Sequence, residues 1–208
     1  MTRHLSEAER RAQILVAARE TFVSTGYLAS RVEDVAARAR LSKGAVYFYF
    51  KSKRELFDAL VAEDVALMMG FLDAAARDPS PPLVRLVELG TRYLSHFGGL
   101  ATPPSFFLIM NEMAIRDEAV RACMSETHQR FLERIAELIR EGVADGSFRD
   151  VDPLAAALVL KAMVDGMAGQ SAIGIPLDVG RLSGDGIRLI LEGLSAAPSA
   201  RSPEGGPP

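Results

Sequence analysis

Apolar residues recur along the chain at the spacing of one helix face, whereas the apolar–polar alternation that would predict strands is scarce. The pattern therefore predicts an all-α fold. It places a first helix that ends at Gly26, short helices that begin near Ser30 and Ser42, and a long helix from Ser52 to about Ala76. Further helices are predicted at about 82–98, 103–115, 117–145, 152–171 and 179–194.

Local signals indicate where helices begin and where the pattern breaks. Ser30 and Ser52 are each followed three residues later by a glutamate, which is the spacing of a capping box. We expect the helix that begins at Ser30 to run to about Ala39. The proline-rich segment 78–82 interrupts the helical pattern, and the Pro-, Ser-, Gly- and Ala-rich residues 196–208 predict a disordered tail.

The charge of the chain is unevenly distributed. Residues 1–54 contain 11 Lys and Arg against 5 Asp and Glu, a net charge of +6, whereas residues 55–208 contain 13 against 22, a net charge of −9. A local positive surface is sufficient to bind phosphate, so the first quarter of the chain is suited to nucleic acid. The alternative is a solvated charged surface without a partner.

The segment 30–53 predicts a helix-turn-helix. Its two short helices are separated by about three residues, and Ala36 is small enough to let them cross closely. In this geometry the second helix enters the major groove of double-stranded DNA and the first crosses the backbone. The residue types fit that task, because the segment offers donors for phosphate, small residues for close approach and aromatic hydroxyls. The residues predicted to contact DNA on these grounds are Ser42, Lys43, Gly44, Ala45, Tyr47, Phe48, Tyr49 and Lys53.

The run Leu41–Leu56, together with Gly26-Tyr27 and Val35-Ala36, resembles the TetR family of bacterial transcription regulators over about residues 10–60. The resemblance implies about nine helices: a DNA-binding domain at 1–54, then a helical ligand-binding and dimerisation domain at 55–195. It also implies a homodimer that binds a palindromic operator, and a small-molecule effector that moves the two DNA-binding heads.

Three residues depart from the family pattern. Arg40 occupies a turn position that usually has Gly, and a left-handed backbone there would cost Arg roughly 1 kcal/mol. Phe48 replaces a common His and could stack on a sugar or a thymine methyl. Arg31 replaces a frequent Ser or Thr, and the resemblance extends a phosphate contact to it.

The C-terminal region is predicted to supply a cavity and a dimer surface. Methionine is adaptable in shape, and the Met and Phe residues on the middle helices are either core or, together with the family resemblance, an indication of an apolar effector with one hydrogen bond to a histidine. The predicted effector-binding residues are Met68, Phe97, Phe107, Met110, His128, Phe131, Met163 and Met167. The apolar stripes of the last two helices suit either packing within the subunit or a four-helix bundle with a partner, and the family resemblance favours dimerisation. The residues predicted for it are Leu158, Ile187, Ile190, Leu191 and Leu194.

Other classes of protein are less consistent with the sequence. The three histidines are far apart, no Cys or His lies at metal-ligand spacing, and no phosphate loop appears, so we expect neither an enzyme nor a cofactor. A single cysteine, Cys123, fits a reducing compartment. The uncharged segment 93–111 contains Pro103 and Pro104, which argues against a membrane span, and we expect a cytoplasmic protein. The open alternatives are an activator or effector-free regulator, and a helical enzyme or carrier.

Overall fold

A computed structural model describes residues 5–98, 104–176, 178 and 181–195. These residues form α-helices and no strand, although Phe148 and Ser195 make an isolated antiparallel bridge. The helices are α1 (Glu7–Thr25), α2 (Val32–Arg38), α3 (Lys43–Tyr49), α4 (Lys53–Arg77), α5 (Pro82–Gly98), α6 (Pro104–Arg116), α7 (Glu118–Ala144), α8 (Pro153–Ala172) and α9 (Ile187–Leu194). The predicted all-α fold, with an N-terminal helix-turn-helix joined to a helical body, is therefore confirmed.

The start signals were read correctly at two helices and misplaced at a third. Ser42 and Ser52 cap α3 and α4, because each hydroxyl oxygen accepts a hydrogen bond from the amide three residues later. The capping box predicted at Ser52 forms only in this half, since the Glu55 carboxylate accepts from the Lys51 amide instead of the Ser52 amide. The capping box predicted at Ser30 is wrong, since its hydroxyl donates to the Tyr27 carbonyl instead. The helix begins one residue later, where the Asp34 carboxylate accepts from the Arg31 amide.

Two hydrophobic clusters hold the helices together, and α4 belongs to both. The first cluster joins α1, α2 and α3 to the first half of α4 and to α6. The second joins the end of α4 to α5, α7 and α8. A helix of 25 residues is about 37 Å long, so α4 connects the two clusters as a rod. The first cluster crosses the predicted domain boundary at residue 54, because Leu56, Phe57 and Leu60 are fully buried in it.

The end of the chain differs from the expected single helix at 179–194. A π-helical turn at Leu182–Gly186 precedes α9, which has only eight residues. The predicted tail at 196–208 lies outside the described residues. Within the part that the structure describes, no helix combines the length and apolar character needed to cross a membrane.

Candidate DNA interface and effector cavity

Helix α3 has a buried face and an exposed face. Val46, and Phe50 directly after the helix, are completely buried in the first cluster. On the opposite side, Lys43 and Gly44 are exposed, and the ring of Phe48 is 70% exposed although it is large and apolar. Tyr47 is exposed as well, whereas Ala45 and Tyr49 are half-buried, so Ala45 offers less surface for a thymine methyl than the sequence suggested.

Two polar side chains of α1, which the sequence did not predict to be important, bond the ends of α3 and α2. The Arg11 guanidinium donates to the Tyr49 carbonyl at 3.0 Å and lies 4.3 Å from the centroid of the Phe50 ring. The Gln13 amide donates to the Ala39 carbonyl in the turn at 2.9 Å. These bonds satisfy carbonyls at the ends of α3 and α2, and they fix the exposed face in position.

The beginnings of α2 and α3 lie side by side. The Lys43 ammonium at the start of α3 is 2.6 Å from the Glu33 carboxylate at the start of α2. Arg31, two residues before Glu33, is exposed. The hydrogen bond between Lys43 and Glu33 raises the pKa of Lys43 and lowers the pKa of Glu33. Because this pair is exposed, its contribution to stability is small, and Lys43 can exchange the carboxylate for another acceptor such as a phosphate or a guanine edge.

The Lys53 ammonium is bound to backbone carbonyls of its own chain. Its ammonium donates to the carbonyls of Tyr27, Leu28 and Ser30, at 2.7, 3.2 and 2.9 Å. These three bonds use all the hydrogens of an ammonium. Burial lowers the pKa of Lys53. In this structure Lys53 ties the loop between α1 and α2 to the start of α4, and the phosphate contact expected from the sequence stays a prediction.

The turn between α2 and α3 contains the strained residue that the sequence suggested. Arg40 has φ +55°, in the left-handed region. Its amide donates to the Ala37 carbonyl, and the Leu41 amide donates to the Ala36 carbonyl at 2.9 Å. This pair of bonds is the Schellman motif, whose left-handed position usually has Gly. The turn thus forms with an exposed Arg at that position.

The body contains a cavity of about 80 Å³ between α5, α7 and α8. One wall is polar: the buried Lys161 ammonium lies 2.5 and 2.6 Å from the two carboxylate oxygens of Asp165. Burial raises the pKa of the Tyr93 hydroxyl far above its usual range, so that group is neutral. The remaining lining is mainly aliphatic, and the full set is Leu86, Leu89, Gly90, Tyr93, Leu94, Phe131, Ile135, Leu160, Lys161, Met163, Val164 and Met167.

Only part of the predicted effector site lines this cavity. Phe131, Met163 and Met167 do. The side chains that do not are Met68, Phe107, Met110 and His128: Met68 contacts the second cluster, Phe107 contacts both clusters, Met110 is buried in the first and His128 is half-buried on α7. The side chain of Phe97 lies outside the described residues. Most of the lining residues that were not predicted lie on α5, where Leu86, Leu89, Tyr93 and Leu94 recur at helical spacing. The prediction rested on Met and Phe and did not use this periodicity.

Helix α8 exposes an apolar surface on its outer side. Leu154, Leu158 and Val159 are 53%, 49% and 58% exposed in the single chain. Leu194, in contrast, is buried against the second cluster, and its carbonyl accepts from the Arg149 amide, so it packs within its own subunit rather than at a dimer surface. The other residues predicted for dimerisation, which lie on α9, have side chains outside the described set: Ile187, Ile190 and Leu191.

Among the residues that the structure describes, no group of three or more His, Cys, Asp or Glu side chains is placed to hold a metal ion.

Comparison with known proteins gives matches along most of the chain. Residues 14–60 match the family "Bacterial regulatory proteins, tetR family", and residues 105–191 match "BetI-type transcriptional repressor, C-terminal". The uncharacterised HTH-type transcriptional regulator YhgD of Bacillus subtilis is 30% identical over 190 residues, which cover 90% of this chain and 98% of YhgD. The HTH-type transcriptional repressor KstR2 of Mycolicibacterium smegmatis is 27% identical over 150 residues, 70% of this chain and 72% of KstR2.

Solved structures have the same fold. The ketosteroid transcriptional regulator KstR2 of Mycobacterium tuberculosis superposes with a TM-score of 0.75 at 19% identity, over 93% of this chain and 98% of that one. These similarities agree with the exposed face of α3 and with the division into head and body. The chain is therefore a DNA-binding transcriptional regulator, not an enzyme, and belongs to the TetR family.

Proposed function

We propose that this regulator is a cytoplasmic repressor that binds a palindromic operator as a homodimer and is released by a small, largely apolar molecule. The observation that carries the proposal is the exposed face of α3. The Phe48 ring is 70% exposed next to Lys43 and Tyr47, and this combination of an apolar ring, a cation and a hydroxyl suits the edges and methyl groups of a major groove.

The dimer would be formed by the outer side of α8. Leu154, Leu158 and Val159 form an apolar surface that a second copy of the chain can cover. In a two-fold dimer the same surface is used twice, and the two heads then meet half-sites whose centres lie about 34–36 Å apart, or somewhat more. Arg31, Ser42 and Tyr49 would contact the backbone beside the bases that Lys43, Tyr47 and Phe48 touch.

Release would come from enlargement of the cavity between α5, α7 and α8. At about 80 Å³ it is smaller than the roughly 300 Å³ or more of most ligand sites. An effector must therefore push the surrounding helices apart, and it binds the expanded shape more tightly than the DNA-bound one. A hundredfold release requires about 2.7 kcal/mol of that preference. Because α5 packs against α4, expansion of the cavity can tilt α4 and, with it, the DNA-binding helices α1 to α3.

Selection of bound sequences from a random DNA library, followed by anisotropy titration on the winning site, tests the DNA-binding part. We expect a palindrome, and we expect Phe48→Ala to weaken specific binding while Ile115→Ala, which removes a 78% exposed side chain on α6, leaves it unchanged. Affinity that never exceeds the non-specific level at moderate salt would contradict the proposal.

A reporter gene behind the selected site tests the sign of regulation. Repression requires that deletion of the regulator raises expression, and the opposite result would make the protein an activator. Apolar compounds are then screened for release, and the affinity of each active compound is measured by calorimetry with and without operator. By reciprocity, bound operator must lower the affinity for the effector by the same factor by which bound effector lowers the affinity for operator.

A further inference from the structure

The charged residue among those that line the cavity is Lys161, and it is paired with Asp165, which lies behind the lining on the same helix. Lys161 and Asp165 are one helical turn apart, and the Lys161 side chain is 9% exposed. Its ammonium bonds both carboxylate oxygens and lies 5.1 and 5.7 Å from the ring centroids of Phe131 and Tyr93. Asp165 is 25% exposed, whereas the Lys161 ammonium is removed from water beside an otherwise apolar cavity. Burial of a charged group rarely stabilises a fold more than an apolar residue of the same size would, so Lys161 calls for another role.

We infer that Lys161 presents a hydrogen-bond donor to the effector, and that the effector is a neutral, largely apolar molecule with one oxygen acceptor, such as a ketone or an ester. The inference rests on the proposed function, because it assigns the chemistry of the same cavity. It follows from a count of hydrogens: an ammonium has three, and the Asp165 oxygens take two. One N–H then remains to meet an oxygen at the polar end of an apolar chamber.

The charge balance of the pair excludes the two charged classes. Lys161 and Asp165 cancel each other, so an anionic effector would bring a second carboxylate beside Asp165 in a cavity with one cation among its lining residues. A cationic effector would compete with Lys161 for Asp165 and displace a buried ammonium. A neutral oxygen needs neither change, and a hydrogen bond from a charged donor is stronger than one from a neutral donor.

The experiment uses four probes of one chain length: methyl hexyl ketone, octane, octanoate and octylamine. Binding to the full-length protein is followed by NMR of labelled methionine methyl groups, because Met163 and Met167 line the cavity and Met124 does not. We expect the largest shifts at the methyl groups of Met163 and Met167, and about tenfold tighter binding of the ketone than of octane. Tighter binding of octanoate or octylamine than of the ketone would overturn the inference.

The double variant Lys161→Met and Asp165→Asn removes both charges at nearly constant volume. We expect it to bind octane as well as the unmodified protein does, and to lose the tenfold preference for the ketone. Operator binding in the absence of probe is the control for its fold. If ketone and octane bind the unmodified protein equally and both release operator, the proposed function stands and this inference fails. If no probe binds, effector control through this cavity fails as well.

Discussion

The guanidinium of Arg19 on α1 donates two hydrogen bonds to the Asp64 carboxylate on α4, at 2.9 and 2.7 Å, and both side chains are buried. The Phe106 ring of α6 lies 4.7 Å from the same guanidinium. One element of the head, the connecting rod and one element of the body therefore meet at this pair. A tilt of α4 relative to α1 would stretch these bonds.

Replacement of one partner of the Arg19–Asp64 pair should lower the free energy of unfolding. Asp64→Asn removes the charge that bonds Arg19 directly and leaves the buried guanidinium with only the half-exposed Glu63 carboxylate, 3.7 Å away, as counterion. We expect a loss of about 3–5 kcal/mol in the free energy of unfolding, measured by urea denaturation. The matched control is Asp73→Asn on the same helix, whose exposed ion pairs should contribute less than about 1 kcal/mol. Equal effects of the two variants would show that Asp64 is solvated in the folded protein.

Two glycines in helices should respond to the same substitution in opposite ways. A Cβ at Gly142 on α7 would lie 2.2 Å from the Phe148 ring, whereas a Cβ at Gly70 on α4 meets no atom within 4 Å. We expect Gly142→Ala to destabilise the fold by about 1–3 kcal/mol through overpacking, and Gly70→Ala to stabilise it by up to about 1 kcal/mol. Thermal unfolding of both variants measures the difference. A stabilised Gly142→Ala protein would mean that Phe148 moves aside freely.

The left-handed backbone at Arg40 makes a third stability test. Arg40→Gly removes the clash between the side chain and the backbone, and we expect it to stabilise the protein by about 0.5–1 kcal/mol. Arg40→Ala removes the charge but keeps the Cβ, so it should give no such gain. A gain for both variants would assign the effect to charge repulsion in the basic head instead of to φ. Operator titrations of the same two proteins show whether the Arg40 charge contributes to affinity.

The elements were largely predictable from the sequence because their signals are local. Caps at Ser42 and Ser52 and the apolar stripe of α4 depend only on neighbours within one or two turns. The same holds for the exposed side of α3, because Val46 and Phe50 mark the side that is buried. The capping error at Ser30 arose because two acidic residues, Glu33 and Asp34, offered equally good partners one residue apart.

The cavity could not be predicted in the same way. Its wall is assembled from α5, α7 and α8, and contact between these helices is a tertiary property that periodicity does not encode. The role of Lys53 was missed for a related reason. A lysine in a basic segment is usually assigned to phosphate, but here the carbonyls that it binds lie 23 to 26 residues earlier in the chain.

That assignment leads to a fourth prediction. Lys53→Met keeps the methylene stem and leaves the carbonyls of Tyr27, Leu28 and Ser30 without their donor. We expect the free energy of unfolding to fall by about 1–3 kcal/mol, because partly buried acceptors lose their hydrogen bonds. We also expect an unchanged slope of log affinity against log salt, since the ammonium has no hydrogen left for DNA. If the variant instead reduces the magnitude of this slope by about 1 for each lost contact, Lys53 does contact phosphate, as the sequence predicted.

The last prediction concerns the outer side of α8. Leu158 is 49% exposed in the single chain, and in the proposed dimer it faces the same helix of the partner. Leu158→Arg would bury an unpaired charge there, at a cost of several kcal/mol, so we expect a folded monomer by sedimentation and loss of specific operator binding. Ile115→Arg places the same charge at a 78% exposed site on α6 and should leave the assembly intact. An unchanged dimer for Leu158→Arg would locate the interface elsewhere, with α9 as the next surface to test. A monomer that still binds the full palindrome with native affinity would instead separate dimerisation from DNA recognition, because a single head contacts only one half-site.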